Sequence, residues 1–457
     1  MNSRDEPGGR IRSTSSASVR AYGVGSPDGG PLRVLARLGE PTGGDRVVDL
    51  DRLQRAGRFR DLGLPRDLFT QRSLNAYMSL GPSVWHDVEG IVTELERDGP
   101  SDHAMHRLES TRLALPVEIA DYCDFYASEH HASNMGRILR PGSDPLPRAW
   151  RHIPIGYHGR SGTVVVSGTP VRRPYGVIFA ADREPAHDGG STDGPVYTAT
   201  RRLDLEVELG FLIGPASTPG RPVSVRDALS HVFGAVVLND WSARDIQSFE
   251  YQPLGPFLGK SFATSISAWV VPMSVLEHFR VDGPDQGAGV EPHLVCDQPR
   301  GLDVTFELAI NSTVLSRPAA RHLHWSVEQL VAHLTSNGSH LRTGDLLATG
   351  TISGPDDTSW GSLMELTWGG SKPVCLDDGS RRFWLEDGDT VTIRAWCGDE
   401  KARNGTAGGS AGDKTAGGSA GDKTAWVELG EVTGTIVDAT ADSIAGPGWT
   451  GEAEPAK

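Results

Sequence analysis

What most restricts this chain is its rhythm. Short apolar runs of β type recur between Gly/Pro loops: TVVVSGTPVRRP (163–174), LDLEVELGFLIG (203–214), VFGAVVLND (232–240), SAWVVP (267–272) and DTVTIRAW (389–396). Runs of that length, bounded by turn residues and rich in β-branched side chains, build strands rather than long helices. Helical patches are few after residue 120; the clearest is SVEQLVAHL at 326–334. The 56 Gly and 30 Pro among 457 residues supply the turns that such a fold needs. The expectation is a mainly β protein with some helix, not an alternating βαβ sheet.

The N-terminal part is organised differently. LRVLARL (32–38) and RVVDL (46–50) read as strands of a small β unit. Val84, Trp85, Val88, Ile91, Val92 and Leu95 recur at helical spacing behind Pro82-Ser83, a helix start signal. Residues 99–116 read as a connector ending at Pro116. The chain then divides into a disordered polar stretch (1–18), an N-terminal domain (19–117), a larger domain (118–440) and a flexible tail (441–457). Inside the larger domain TAGGSAGDK occurs twice in tandem, at 406–414 and 415–423. The segment 405–425 cannot support a core and reads as an extended hairpin loop, most simply a neutral repeat expansion.

Acids outnumber bases by 59 to 44, a net charge of −15, which argues against general binding of nucleic acid or an anionic membrane. No apolar run is long enough to span a bilayer, and the N-terminus lacks the apolar core of a signal peptide. A soluble cytoplasmic protein is expected. Cys123, Cys296, Cys375 and Cys397 form no C-x-x-C pair and are expected as buried free thiols. Gly23, Gly25 and Gly29 give GxGxxxG without a βαβ context, so a dinucleotide site is discounted. There is no P-loop and no G-x-S-x-G elbow, and His322 and His324 have no Cys/His cluster near them in sequence.

Four segments hold chemistry-bearing residues. In LDLEVELG a strand sets Asp204, Glu206 and Glu208 on one face. That face is either solvated or neutralised by a cation; oxygen-only donors select Mg²⁺, Ca²⁺ or Mn²⁺ over zinc. Behind VFGAVVLND a helix is expected to start at Asn239-Asp240, placing Asp240, Arg244, Gln247 and Tyr251 on one face, with Lys260 in a following loop. In DYCDFYASEHHASN, Asp124 and His131 are seven residues apart, so a helix would point both to one side and His130 elsewhere. In LLATGTISGPDDTSWGSLMELTWGG, Glu365 lies in a strand-like apolar run where a carboxylate needs a partner.

Together these blocks, with LPRAWRHIPIGYHGRSGTVVVSGTPVRRPYG (146–176) and LRTGDLLATGTISG (341–354), closely resemble the fumarylacetoacetate hydrolase family over nearly the whole chain. LNAYMSLGPSVW (74–85) resembles the end of that family's small N-terminal domain. The resemblance implies a small SH3-like N-terminal barrel, then a large mixed β-roll catalytic domain, assembled as a homodimer. It implies a metal held by Asp124, Glu206, Glu208 and Asp240, with Lys260 and Thr264 at an adjoining Mg²⁺-associated position. It implies His131 as general base, Glu365 as its orienting carboxylate, and Arg244, Gln247 and Lys260 as oxyanion donors. Tyr126, Arg140, Tyr157, Gln247, Tyr251 and Thr351 match substrate contacts. The implied reaction is hydrolysis of the carbon–carbon bond of 4-fumarylacetoacetate, a small diketo dicarboxylate, to fumarate and acetoacetate, the last step of tyrosine and phenylalanine degradation. The implied cofactor is Mg²⁺ or Ca²⁺, with Mn²⁺ chemically acceptable and no organic group. The tandem repeat, the stretch 180–197 and the tail depart from the family pattern without touching a matched position. Two alternatives stand beside this one: another oxo-acid hydrolase or decarboxylase of the same superfamily, and a Ca²⁺-binding β protein. The second leaves the base and oxyanion donors without a role.

Overall fold

The computed structural model describes residues 19–38, 46–98, 104–179, 194–287, 289–296, 300–398 and 426–440. The tandem repeat, residues 1–18 and the tail from 441 lie outside the described residues. The architecture is mainly β with mixed sheets. Among the described residues the larger sheet has 13 strands. Its centre is the antiparallel pair Val207–Ile213 and Val232–Asp240, buried along their whole length. Burial on both faces is why VFGAVVLND reads as nearly continuous apolar sequence.

The register of this sheet brings distant residues together. Leu346–Ala348 pairs antiparallel with Val207–Ile213 and parallel with Tyr122–Phe125, setting Ala348 opposite both Gly210 and Asp124. Tyr122–Phe125 takes Gly156–His158 on its far side, with Asp124 opposite Tyr157. Thr264–Ile266 pairs with the end of Val232–Asp240, with Thr264 opposite Asp240. The polar ends of four strands therefore meet at one place.

The N-terminal unit is a five-strand antiparallel arrangement in the order Thr111–Leu113, Val19–Pro27, Arg33–Leu38, Arg46–Asp49, Met105–Arg107. Val19–Pro27 also pairs with Trp269–Pro272, so this unit continues into the main sheet. The described part of 99–116 is thus not a mere connector. Two three-residue edge strands, MHR and TRL, are too short for a period-two signal to show. Helix Pro82–Asp98 packs Trp85 edge-on against Phe233, ring centroids 5.0 Å apart, fastening the unit to the central strand.

A second sheet orders Thr313–Ser316, Val304–Ile310, Thr390–Gly398, Trp426–Val437 and Val171–Arg172. Buried Trp241 donates its indole N–H to Ser265 Oγ at 2.9 Å, and a Cβ on Gly434 would come within 2.7 Å of its ring, so the two layers meet there.

Several local expectations change. LDLEVELG is not one strand: Leu203–Asp204 pairs with Ser242–Ala243, and the ladder resumes only at Val207. The helix behind Asp240 is Arg244–Glu250, because Asp240 itself ends the strand. Asp124 lies on strand Tyr122–Phe125 and His131 on helix Glu129–Leu139, so no shared helix relates them. LMELTW is not a strand; Leu363–Leu366 is a helix whose first turn is capped by Ser362, Oγ accepting from the Glu365 N–H at 3.2 Å. Ser362-x-x-Glu365 has the spacing of a capping box, and that was the available signal. The four cysteines are free, but only Cys123 and Cys397 are buried; Cys296 is half-buried and Cys375 exposed, since the last sits on a short surface hairpin.

Candidate active site

Five buried carboxylates lie near the strand ends, and three of them cluster. None is a solvated face: Glu206, at 4% exposed, is the most accessible of Asp124, Asp204, Glu206, Glu208 and Asp240. Ligand oxygens of Asp124, Glu208 and Asp240 lie within 4.8 Å of one another. Burial first, and then the neighbouring carboxylates, push Asp124 and Glu208 well above the ordinary carboxylate range. Burial raises Asp240 too, against the opposing charge of Lys260. Among the described residues, one oxygen each of Asp124 and Glu208 is buried without a hydrogen-bond partner. A donor set made only of carboxylate oxygens, with two orphaned buried lone-pair sites, fits a hard divalent cation.

Glu206 is placed differently from the other three acids matched to the metal. Its Oε1 accepts from Arg244 Nη2 at 2.6 Å, and its Oε2 is in contact with Lys260 Nζ. Burial alone would raise it, but these two cations outweigh burial and hold it far below the usual range. Lys260 bridges on to Asp240 Oδ2 at 2.7 Å; the same oxygen accepts from the Tyr157 hydroxyl at 3.3 Å, while Thr264 donates to Asp240 Oδ1 at 3.3 Å. Gly350 supplies its N–H to Glu208 Oε2 at 3.1 Å. Only glycine serves there: φ is +73°, and a Cβ would lie 2.0 Å from the Phe125 carbonyl oxygen.

Beside the carboxylates stands a histidine–glutamate pair. His131 Nδ1 and Glu365 Oε2 are 2.7 Å apart, both side chains buried, and His131 Nε2 points toward Glu206 Oε1 at 3.8 Å. Glu365 Oε2 also accepts from Ser353 Oγ at 2.9 Å and Ser362 Oγ at 2.8 Å, and Oε1 accepts from Asn134 Nδ2 at 2.9 Å. Burial alone would raise Glu365. The charge of His131, with hydrogen bonds from His131, Asn134 and Ser362, overrides it and holds the carboxyl below its ordinary value. An ionised Glu365 fixes the proton on Nδ1 and leaves Nε2 free to accept one. His130 turns away, its ring edge-on to His322 at 5.9 Å.

A cavity of about 340 Å³ opens over these groups. Its wall includes Asp124, His131, Glu206, Arg244, Gln247 and Lys260, together with Tyr126, Arg140, Tyr157, Tyr251 and Thr351. The structure therefore gathers the residues matched to base, oxyanion donors and substrate contacts around one space; Glu208, Asp240, Thr264 and Glu365 lie just behind its lining. Arg244 Nη1 donates to Gln247 Oε1 at 3.1 Å, which aligns the two. Tyr126 packs edge-on against the His131 ring, centroids 5.5 Å apart. Thr351 Oγ1 is buried with no hydrogen-bond partner among the described residues. Sequence reasoning assigned no role to Asn134 and Ser362; a serine three residues before Glu365 was the pattern that marked Ser362.

A buried acid–base pair, a carboxylate nest suited to a cation, and two fixed cations under one cavity are the equipment of an enzyme. Comparison with known proteins specifies which kind. Residues 23–120 match the family model described as Fumarylacetoacetase N-terminal, and 121–411 match Fumarylacetoacetate (FAA) hydrolase C-terminal. The chain is 39% identical over 399 residues to the fumarylacetoacetase of Homo sapiens, covering 84% of this chain and 92% of that protein. It is 38% identical over 370 residues to the fumarylacetoacetase of Arabidopsis thaliana, covering 78% and 86%. A solved fumarylacetoacetate hydrolase from psychrophilic Exiguobacterium antarcticum superposes with a TM-score of 0.50 at 17% identity, covering 92% of this chain and 99% of that one, which speaks to the fold alone. The chain belongs to the fumarylacetoacetate hydrolase family. It is a hydrolase, and among the described residues no helix is long and apolar enough to cross a membrane.

Proposed function

We propose that this hydrolase cleaves the carbon–carbon bond of 4-fumarylacetoacetate to fumarate and acetoacetate, closing tyrosine and phenylalanine degradation. The observation that carries the reading is the buried His131–Glu365 pair, whose histidine lines the same cavity as Arg244, Gln247 and Lys260. His131 takes a proton from water at Nε2, and Glu365 stabilises the imidazolium that results. The attacked carbonyl becomes an oxyanion; Arg244, Gln247 and Lys260 supply donors fixed in advance by Glu206, Asp240 and one another. With the water oxygen now bonded to the carbonyl carbon, the oxyanion collapses to a carboxyl as the carbon–carbon bond breaks, and His131 returns the proton to the departing carbon. Arg140, Tyr126, Tyr157, Tyr251 and Thr351 receive the carbonyl and carboxylate oxygens of a dianionic substrate, and the partnerless Thr351 hydroxyl is suited to such a contact.

Asp124, Glu208 and Asp240, with Glu206 as the fourth acid, would hold the cation, and Lys260 and Thr264 would flank it. When bound, a Mg²⁺, Ca²⁺ or Mn²⁺ ion supplies Lewis acidity toward the diketone oxygens. The same reading takes the chain as a cytoplasmic homodimer. Tyr175, Val177, Phe179 and Tyr197 stand 37–70% exposed on one face of a hairpin, an apolar surface suited to a second copy. The test is turnover of fumarylacetoacetate by purified protein, followed as loss of its ultraviolet absorbance, with and without chelator, alongside mass by light scattering. No turnover with any of the three cations would sink the proposal.

A further inference from the structure

Of the three acids in LDLEVELG, Glu208 joins the carboxylate cluster and Glu206 lines the cavity; Asp204 does neither, yet it is completely buried. Both its oxygens are occupied. Oδ1 accepts the backbone N–H of Leu363 at 2.9 Å and of Leu205 at 2.8 Å. Oδ2 accepts Arg244 Nε at 2.8 Å and the N–H of Met364 at 3.2 Å. Two of these partners are first-turn amides of Leu363–Leu366, the helix that carries Glu365. A third is the guanidinium whose other nitrogens face Glu206 and Gln247.

We propose that Asp204 is a positioning residue of the reaction, tying the Arg244 guanidinium to the helix that bears Glu365 and so fixing the oxyanion donor relative to the acid–base pair. The inference rests on the hydrolase reading above. A flexible arginine held only by Glu206 and Gln247 can pivot about its long stem; a carboxylate on Nε removes that freedom. Preorganised donors act only where they are placed, and a misplacement of about 1 Å costs roughly 10²-fold.

The experiment uses the full chain loaded with Mg²⁺, with fumarylacetoacetate as substrate. Asp204→Asn keeps the size and one oxygen for the helix amides, but sets an N–H donor opposite Arg244. Its kcat should fall by roughly 10²-fold, with KM within about threefold of the parent and Mg²⁺ content unchanged. Arg244→Lys retains the charge but has no Nε–H for Asp204, and should show the same split. The double variant should be no slower than the worse single one, because the two act as a unit. A purely structural Asp204 would lower the melting temperature and leave kcat of the folded protein intact; that result overturns the proposal, as does kcat loss that tracks lost Mg²⁺, or an additive double variant. Should Asp204→Asn not fold, undiminished turnover by Arg244→Lys is enough to overturn it. An inactive parent enzyme removes the functional reading itself, whereas an active parent with an undiminished Asp204→Asn removes only this assignment.

Discussion

Glu365→Gln separates charge from shape at the histidine–glutamate pair. The Oε2 position, with three donors pointing at it, selects the glutamine oxygen, and the new NH₂ falls toward Asn134, which turns its amide over at the cost of the hydrogen bond that its Oδ1 accepts from Arg137 Nη1 at 3.3 Å. The Nδ1–H tautomer of His131 therefore survives, and what is lost is the negative charge facing the imidazolium. With contact at 2.7 Å, the charge centres are about 4 Å apart. At an effective dielectric of about 20 that is about 4 kcal/mol, or up to ~10³-fold in rate. We expect kcat to fall by ~10²–10³-fold with KM little changed, measured under substrate saturation at matched metal content. In a His131→Ala background the same substitution should add almost nothing. A loss below about tenfold, or full additivity with His131→Ala, would show that Glu365 does not act through His131.

Three further outcomes follow from the same geometry. His131→Ala should lower turnover by ~10²–10⁴-fold while His130→Ala leaves it nearly unchanged, because His130 packs on His322 outside the cavity; the reverse order would refute the assignment. Chelated protein should lose thermal stability as pH rises above the ordinary carboxylate range. Asp124, Glu208 and Asp240 have raised values, so the folded state binds more protons than the unfolded one in that window and stability falls with pH. Saturating Mg²⁺ or Ca²⁺ should flatten the slope, and a chelated protein whose melting temperature rises over that range would contradict the cluster's charge state. Deleting residues 406–423 should leave kcat unchanged and stabilise the fold by about 1 kcal/mol at most, since Gly398 and Trp426 are already register partners across that hairpin. Loss of activity on deletion would give the repeat a structural role.

The fold was legible where a segment's surroundings were uniform. VFGAVVLND is buried on both faces and its strand runs over just those residues, Val232–Asp240. SVEQLVAHL closes on a helix, Val327–Thr335, with Ser326 and Gln329 forming its capping box. Legibility failed where pairing, not pattern, decides structure. Met105–Arg107 and Thr111–Leu113 are strands only because Arg46–Asp49 and Val19–Pro27 present open edges to them. Leu363–Leu366 is a helix because a serine cap and the Asp204 carboxylate take its first amides, and neither is visible in an apolar run.

The site divides along the same line. Residue types announced that carboxylates, a base and cations were present; their partnerships came only with the folded register. Period-two alternation made Asp204, Glu206 and Glu208 look equivalent, yet each has a different partner: a guanidinium with helix amides, two cations, and a carboxylate cluster. What distinguishes them is the break in the ladder between Asp204 and Val207, which lets each acid meet a different neighbour. The two cations then set the charge balance. Lys260 and Arg244 offset two of five buried carboxylates, and ionising the rest would concentrate excess negative charge where, among the described residues, Asp124 and Glu208 each keep an oxygen without a hydrogen-bond partner. Burying that excess without a counter-charge is costly. On the proposed reading the cation sits at that corner, with Glu206 both its fourth acid and the partner of Arg244 and Lys260.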